Sequence, residues 1–183
     1  MLLAAAREVF TEAGYADANI TAIVDRAGSS VGSLYHHFGG KSDLYIALYD
    51  DYQSRQAHRA ADAFRGAVAG GENDALTLFL TAMRAYLEGC WDERELAKLF
   101  LSGGGPPGFE LLTRRRFRHW MSTNSARLSE HARPLSDALV LVLTTLATEA
   151  GREVAVQSSR ASAQRFIDEI LELAARLYPP GES

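Results

Sequence analysis

Cysteine is almost missing from this chain of 183 residues: Cys90 stands alone, which excludes an intramolecular disulfide. No CxxC pair and no His/Cys spacing of a ligand set occurs, so no metal site and no cofactor is expected. No apolar run is long enough to span a membrane, and Met1-Leu2-Leu3-Ala4 gives way at once to Arg7 and Glu8 rather than to a signal-peptide core. A reducing, cytoplasmic setting without membrane contact is the expectation. No alternating pattern supports a sheet, and no repeat, heptad array or low-complexity tract is present. Catalytic constellations are missing too: there is no nucleophile elbow, no pair of carboxylates with a supporting His, and no phosphate loop. Gly103-Gly104-Gly105 runs into prolines rather than into a helix with Lys and Ser. An enzyme is therefore not expected.

What remains is a globular chain with 47% hydrophobic residues and a formal net charge of −4, long enough for one ordinary domain or for a small domain joined to a medium one. Helical periodicity runs through it, and the expected fold is all-α. Residues 19 to 41 carry the most information. Asn19 is a good N-cap for a short helix on which Ile20, Ile23, Val24 and Ala27 recur at helical spacing. Gly28 suits the positive φ of a helix C-terminus, and Ser29 and Ser30 cap a second helix from about Val31 to Phe38. On it Leu34 and Phe38 share an inward face, leaving Gly32, Ser33, Tyr35 and His36 outward. Small residues at the front of such a helix allow close approach to a groove, and hydroxyls and imidazoles bond base edges and phosphates. This is a helix-turn-helix whose candidate DNA contacts are Asn19, Thr21, Ser30, Val31, Gly32, Ser33, Tyr35, His36, His37 and Lys41.

Ile23, Ala27, Gly28, Ser30, Gly32, Leu34, Tyr35, His37, Phe38 and Lys41 stand in the register of the DNA-binding domain of the TetR family of bacterial transcriptional regulators, which this segment resembles. Leu3, Ala4, Ala5, Val9, Phe10, Gly14 and Leu44 fit as well, so the resemblance covers about the first fifty residues; beyond them only size and helicity match. Three departures stand out: Ser29 replaces the usual valine, Val24 an alanine, and Asn19 the usual Thr or Ser cap. The sequence also opens inside the first helix, without the basic arm that often reaches into a minor groove, so either the start lies further upstream or this member lacks one. Charge adds to the contrast. The first fifty residues hold Arg7, Arg26 and Lys41 against Glu8, Glu12, Asp17, Asp25, Asp43 and Asp50, so modest affinity per half-site is expected, with dimerisation making up the difference.

The resemblance implies a three-helix DNA-binding domain at 1–42 and a helical effector-binding and dimerisation domain at 43–183. Downstream periodicity predicts a long helix from Ser42 or Asp43 to Gly70-Gly71, one capped by Asn73 or Asp74, and a short one from Glu93 to Leu101. A loop at Ser102 to Gly108 follows, then helices from Phe109 to Leu128, from Pro134 to about Gln157, and from Ser162 to Tyr178, before Pro179 and Pro180. Met83, Tyr86, Cys90, Phe100, Phe117, Trp120 and Met121, with Thr145, Thr148 and Glu149, are the candidate walls and polar fixings of a mostly apolar small-molecule pocket; the competing reading of the aromatics is packed core. Within the run Arg114, Arg115, Arg116, Arg118 and His119, one Arg is a candidate partner for an anionic ligand such as a fatty acid or acyl-thioester, against a simple solvated face. Leu139, Leu143, Leu146, Phe166, Ile170 and Leu177 form wide stripes on the last two helices for which a second copy is the expected cover; the competing reading is the monomer's own core, and opposite edges of each helix can serve both. The expected function is a repressor that binds double-stranded operator DNA as a homodimer and is released by an unknown small molecule. The alternative is a helical enzyme or binding protein that merely contains a helix-turn-helix, which the missing catalytic motifs disfavour.

Overall fold

The computed structural model describes residues 1–101 and 103–178. Among them are nine helices and no strand: α1 (Leu2–Asp17), α2 (Ile20–Arg26), α3 (Val31–His37), α4 (Lys41–Ala69), α5 (Ala75–Asp92), α6 (Arg94–Leu101), α7 (Phe109–Leu128), α8 (Asp137–Val156) and α9 (Arg160–Arg176). Ser102, Pro179 and Pro180, given a loop and a terminating role by the sequence, lie outside the described residues.

Local chemistry sets most boundaries. The Asn19 side chain accepts from the Thr21 amide at 2.8 Å and starts α2, and the Ser30 hydroxyl accepts from the Ser33 amide at 3.1 Å and starts α3. Between them Gly28 takes φ 57, its amide donating to Asp25 and that of Ser29 to Val24 at 2.9 Å, which is a Schellman motif. Asp74 caps α5 through the Thr77 amide, and Ser159 and Ser162 form a reciprocal capping box on α9.

Three expected boundaries move. The long helix α4 starts at Lys41, before Ser42 and Asp43, because the Asp43 carboxylate reaches back to the Gly39 amide at 3.0 Å from inside the first turn. The eighth helix opens after Ser136, which accepts from the Leu139 amide, rather than at Pro134. The last helix begins at Arg160, where its capping box lies, and ends at Arg176.

At 29 residues α4 is about 43 Å long at 1.5 Å per residue. Its first turn is bolted to the end of α1: the Lys41 ammonium donates to the carbonyls of Ala16 and Ala18 at 3.1 and 3.0 Å and sits over the Tyr15 ring, whose hydroxyl meets that of Ser42 at 2.8 Å. In the body, α5 packs on α4, α8 and α9, and α6 lies against α8 and α1. Buried side chains run without a break from Ala5 and Phe10 through Tyr45 and Phe100 to Leu143, Ile167 and Ala174.

Candidate nucleic-acid interface and effector body

On α3 only Leu34 is fully buried. Val31, Gly32, Tyr35, His36 and His37 are exposed around it, Tyr35 to 54%, and Ser33 is half-buried. Asn19, Thr21 and Ser30 are exposed on the adjoining turns. Nine of the ten residues singled out by the sequence thus lie on one connected stretch of α2, the turn and α3. Lys41 is placed differently: its ammonium is spent on the last carbonyls of α1 and on the Tyr15 ring, where a cation is favoured by the exposed C-terminal oxygens.

The other cations near the turn are also engaged. Arg26 bonds Glu12 at 2.8 Å and lies 3.6 Å from Glu8, which raises its own pKa and holds the Glu12 carboxyl below the usual carboxylate range. Both groups are fully solvated, so this pair orients α2 against α1 more than it stabilises the fold. Arg7 is exposed on α1.

The pocket residues divide by helix face. Met83, Cys90 and Phe100 are buried in close-packed core, and Tyr86 stands beside Cys90 where α8 comes closest: a Cβ on Gly151 would lie 3.1 Å from both Cys90 Sγ and the Tyr86 hydroxyl. Burial pushes the Cys90 thiol up to about 11, with bonds from Tyr52 and Tyr86 pulling the other way, so at neutral pH it is a protonated packing group. Phe100 belongs to an aromatic cluster at the base of the body, its ring centroid 5.2 to 5.5 Å from those of Tyr45, Tyr49 and Tyr52. Thr145 and Glu149, expected as polar fixings of a pocket, lie instead on the outside of the single chain. They share the exposed side of α8 with Leu141 and Val142, whereas Thr144 and Ala147 point inward, since neighbouring residues on a helix are about 100° apart. Thr148 is half-buried, with its hydroxyl donating to the Thr144 carbonyl.

On α7 the buried residues are Phe109 and Leu128, at its two ends. Between them Phe117 and Met121 are half-buried and Trp120 is 38% exposed, so the helix crosses the body as a strap fastened at both ends. Arg114, Arg115, Arg118 and His119 face solvent, while Arg116 pairs with Asp50 and lies over the Tyr49 ring. Among the buried polar groups are Gln56, packed against Gly89, which the sequence reading did not single out, and Thr144, which it weighed with Thr145, Thr148 and Glu149 as a polar fixing. Both sit at positions where helical phase, not residue type, decides burial. A cleft of about 320 Å³ opens at the seam of α1 and α6, lined by Phe10, Thr11, Gly14, Tyr15, Glu95, Lys98, Leu99 and Gly104; none of the expected pocket residues lines it.

The expected interface stripes are also re-sorted. Leu143 is fully buried within the single chain and cannot meet a second copy. Leu139, Leu146, Phe166 and Ile170 are half-buried, and Leu177 is 51% exposed. Leu141, Val142 and Leu173, absent from the expected set, are exposed beside them. The chain thus presents an apolar outer face on α8 and α9.

Among the described residues no helix is long and apolar enough to cross a membrane, and no group of three His, Cys, Asp or Glu could hold a metal ion. Comparison with known proteins completes the picture. Residues 2–48 match the model of bacterial regulatory proteins of the tetR family. The transcriptional repressor AcnR of Corynebacterium efficiens is 34% identical over 61 residues, 33% of this chain and 32% of that one. The transcriptional activator FasR of Mycolicibacterium smegmatis is 51% identical over 47 residues, 26% of this chain and 22% of its own. The matched segment is thus about a third or less of these curated relatives. Over the whole chain, the Bacillus subtilis regulator FadR in complex with stearoyl-CoA superposes with a TM-score of 0.76 at 15% identity, covering 94% of this chain and 95% of FadR. A TetR-family regulator from Pectobacterium atrosepticum gives 0.61 at 26% identity, over 96% and 89% of the two chains. These relatives are transcriptional regulators, not enzymes. Residues 2–48 thus carry the sequence pattern of the tetR family of bacterial regulatory proteins, and the chain as a whole has the fold of such regulators.

Proposed function

We propose that the protein is a one-component transcriptional repressor, a homodimer that binds a short near-palindromic operator and is released by a mostly apolar small molecule. The observation that carries this reading is α3, a seven-residue helix held by one buried leucine and presenting Val31, Gly32, Tyr35, His36 and His37 to the outside. Such a helix contributes little to a core and is shaped for a groove. In this reading residues 1–42 are the DNA-binding unit, with Asn19 and Ser30 fixing the two helix starts, and residues 43–183 bind the effector and the second copy.

The second copy covers the outer face of α8 and α9, where Leu141, Val142, Leu173 and Leu177 join the half-buried Leu139, Leu146, Phe166 and Ile170. An apolar face of this breadth is normally buried by association, and two heads on one dimer raise the effective concentration of the second half-site. The effector lies beneath the α7 strap, against Phe117, Trp120 and Met121, where the helix is least covered. Stearoyl-CoA, the ligand of the FadR neighbour, is the first probe for it.

A gel shift with DNA from upstream of the protein's own gene, titrated with salt, tests the core of the proposal. Saturable binding that weakens as salt rises is expected, with stearoyl-CoA or a related acyl thioester releasing the DNA. Val142→Glu is expected to give a monomer in sedimentation and to lower DNA affinity by about a hundredfold. No binding at low salt would reject the reading.

A further inference from the structure

One side chain joins the head to the body. Tyr45, in the first turns of α4, is fully buried, and its hydroxyl donates to the Gly104 carbonyl at 2.8 Å, with the Leu99 carbonyl at 3.3 Å. Its ring meets Phe10 and Tyr15 of α1 edge-on at 5.2 and 5.1 Å, and Phe100 of α6 and Phe109 of α7 at 5.2 Å each. The two sides of this contact differ. On the head side, Lys41 and the pair of Tyr15 and Ser42 lock α1 to α4, so α4 cannot rotate without carrying the head. On the body side, Leu99 and Gly104 also line the 320 Å³ cleft, which leaves α6 and the backbone at Gly104 room to move toward α1. Gly105 presses against the Phe109 ring, where a Cβ would come within 2.6 Å, so displacement of α7 is passed to the backbone beside Gly104.

We propose that Tyr45 is the positioning residue that couples the effector body to the DNA-reading head, its hydroxyl holding the α6–α7 junction in the DNA-competent arrangement. The proposal rests on the reading of the chain as a DNA-binding regulator. A buried hydroxyl that loses its acceptor is strongly disfavoured, so the bond is either made or replaced as α6 shifts, and the contact favours two discrete arrangements over a continuum. By linkage, DNA that favours one arrangement of the head must also favour the made bond, and the backbone at Gly103 to Gly105 must register DNA bound at α3.

Hydrogen exchange on the full-length protein, with and without DNA selected for binding from a random pool, tests this. In the wild type, saturating DNA is expected to slow exchange of the Gly103, Gly104 and Gly105 amides by about fivefold. In Tyr45→Phe the same DNA still binds and melting shifts by only a few degrees, but the slowing at these amides falls below about twofold. Tyr45→Met, which fills the space without a donor, behaves as Tyr45→Phe does; Tyr49→Phe, which loses a hydroxyl bonded only to Gln53 one turn further along α4, keeps the wild-type response. A purely structural role would instead raise exchange throughout the head, with or without DNA. Equal slowing in wild type and Tyr45→Phe, or bound DNA without slowing in the wild type, overturns the coupling role and leaves the function standing. A wild type that binds no DNA in the same samples removes both.

Discussion

The head and the body solve the same problem, placing a functional helix, by different means. The α2–α3 unit consists of two seven-residue helices, each with a side-chain cap and joined by a Schellman turn, so local chemistry almost suffices to define it. The α8–α9 unit consists of helices of 20 and 17 residues; apolar residues nearly encircle α8, and only packing decides which of them are inward. Short helices cannot stand on propensity alone. Within the head α3 therefore rests on one cap and one buried leucine, while the body spreads its stability over many contacts.

Equal deletions in the two regions give the sharpest test. Leu34→Ala and Leu143→Ala each remove a fully buried leucine, and each should cost about 2–5 kcal/mol in denaturant unfolding. Their consequences for DNA should differ. Leu34 is the only fully buried residue of α3, so its loss detaches that helix and abolishes the gel shift even where the body stays folded. Leu143 shares its burden with Val140, Ala147 and the helices around them, so its variant melts earlier but binds DNA with near-native affinity below its midpoint. Loss of DNA binding by folded Leu143→Ala would break the contrast.

The body also carries an alkaline weakness. Cys90 has its pKa raised by burial from 9.0 to about 11, so the unfolded chain loses this proton first as pH rises. Stability from this group is complete below pH 9 and is lost between pH 9 and 11, about 2–3 kcal/mol in total. Tyr52 and Tyr86, also raised chiefly by burial, extend the loss to higher pH. Cys90→Ala should flatten the decline between pH 9 and 11 in urea titrations; an unchanged slope would locate the alkaline sensitivity elsewhere. Smaller still is the cap of the recognition helix. Ser30→Ala should cost about 1 kcal/mol, and because only a few contacts hold α3, DNA affinity should fall by up to about fivefold, read by fluorescence anisotropy.

The same division explains what was legible in the sequence. Asn19, Gly28 and Ser30 act through neighbours two to five residues away, so their roles follow from the sequence itself, as do the ends of α7 and the all-helical fold. Thr145 and Glu149 were misplaced because every third or fourth residue of α8 offers an acceptable inward face, and Leu141 and Val142 are as apolar as Leu143. Choosing among those faces requires knowing where α5 and α6 lie. The role of Lys41 in fastening α4 was illegible for a different reason: its partners, the carbonyls of Ala16 and Ala18, are backbone atoms more than twenty residues away and leave no mark on residue type. Tyr45 escaped for the same reason.

The smallest expected effect concerns a residue that departs from its family's pattern in the region otherwise most faithful to it. Ser29 is the second residue past Ala27, the C-cap of α2, the position in a Schellman motif whose side chain usually touches an apolar residue in the last turn of the helix. Its amide already bonds the Val24 carbonyl, so the backbone of the motif is complete and only the side-chain contact is missing. Ser29 is half-buried and Val24 almost fully buried, so a valine at position 29 would cover a further ~20 Å² of apolar surface, worth about 0.5 kcal/mol. Ser29→Val should therefore raise the melting temperature by a degree or two without changing DNA selectivity, because the added methyl groups face Val24 rather than the exposed side of α3. A rise in stability accompanied by altered operator preference would mean that Ser29 belongs to the DNA surface, and that this departure from the family's valine serves recognition rather than folding.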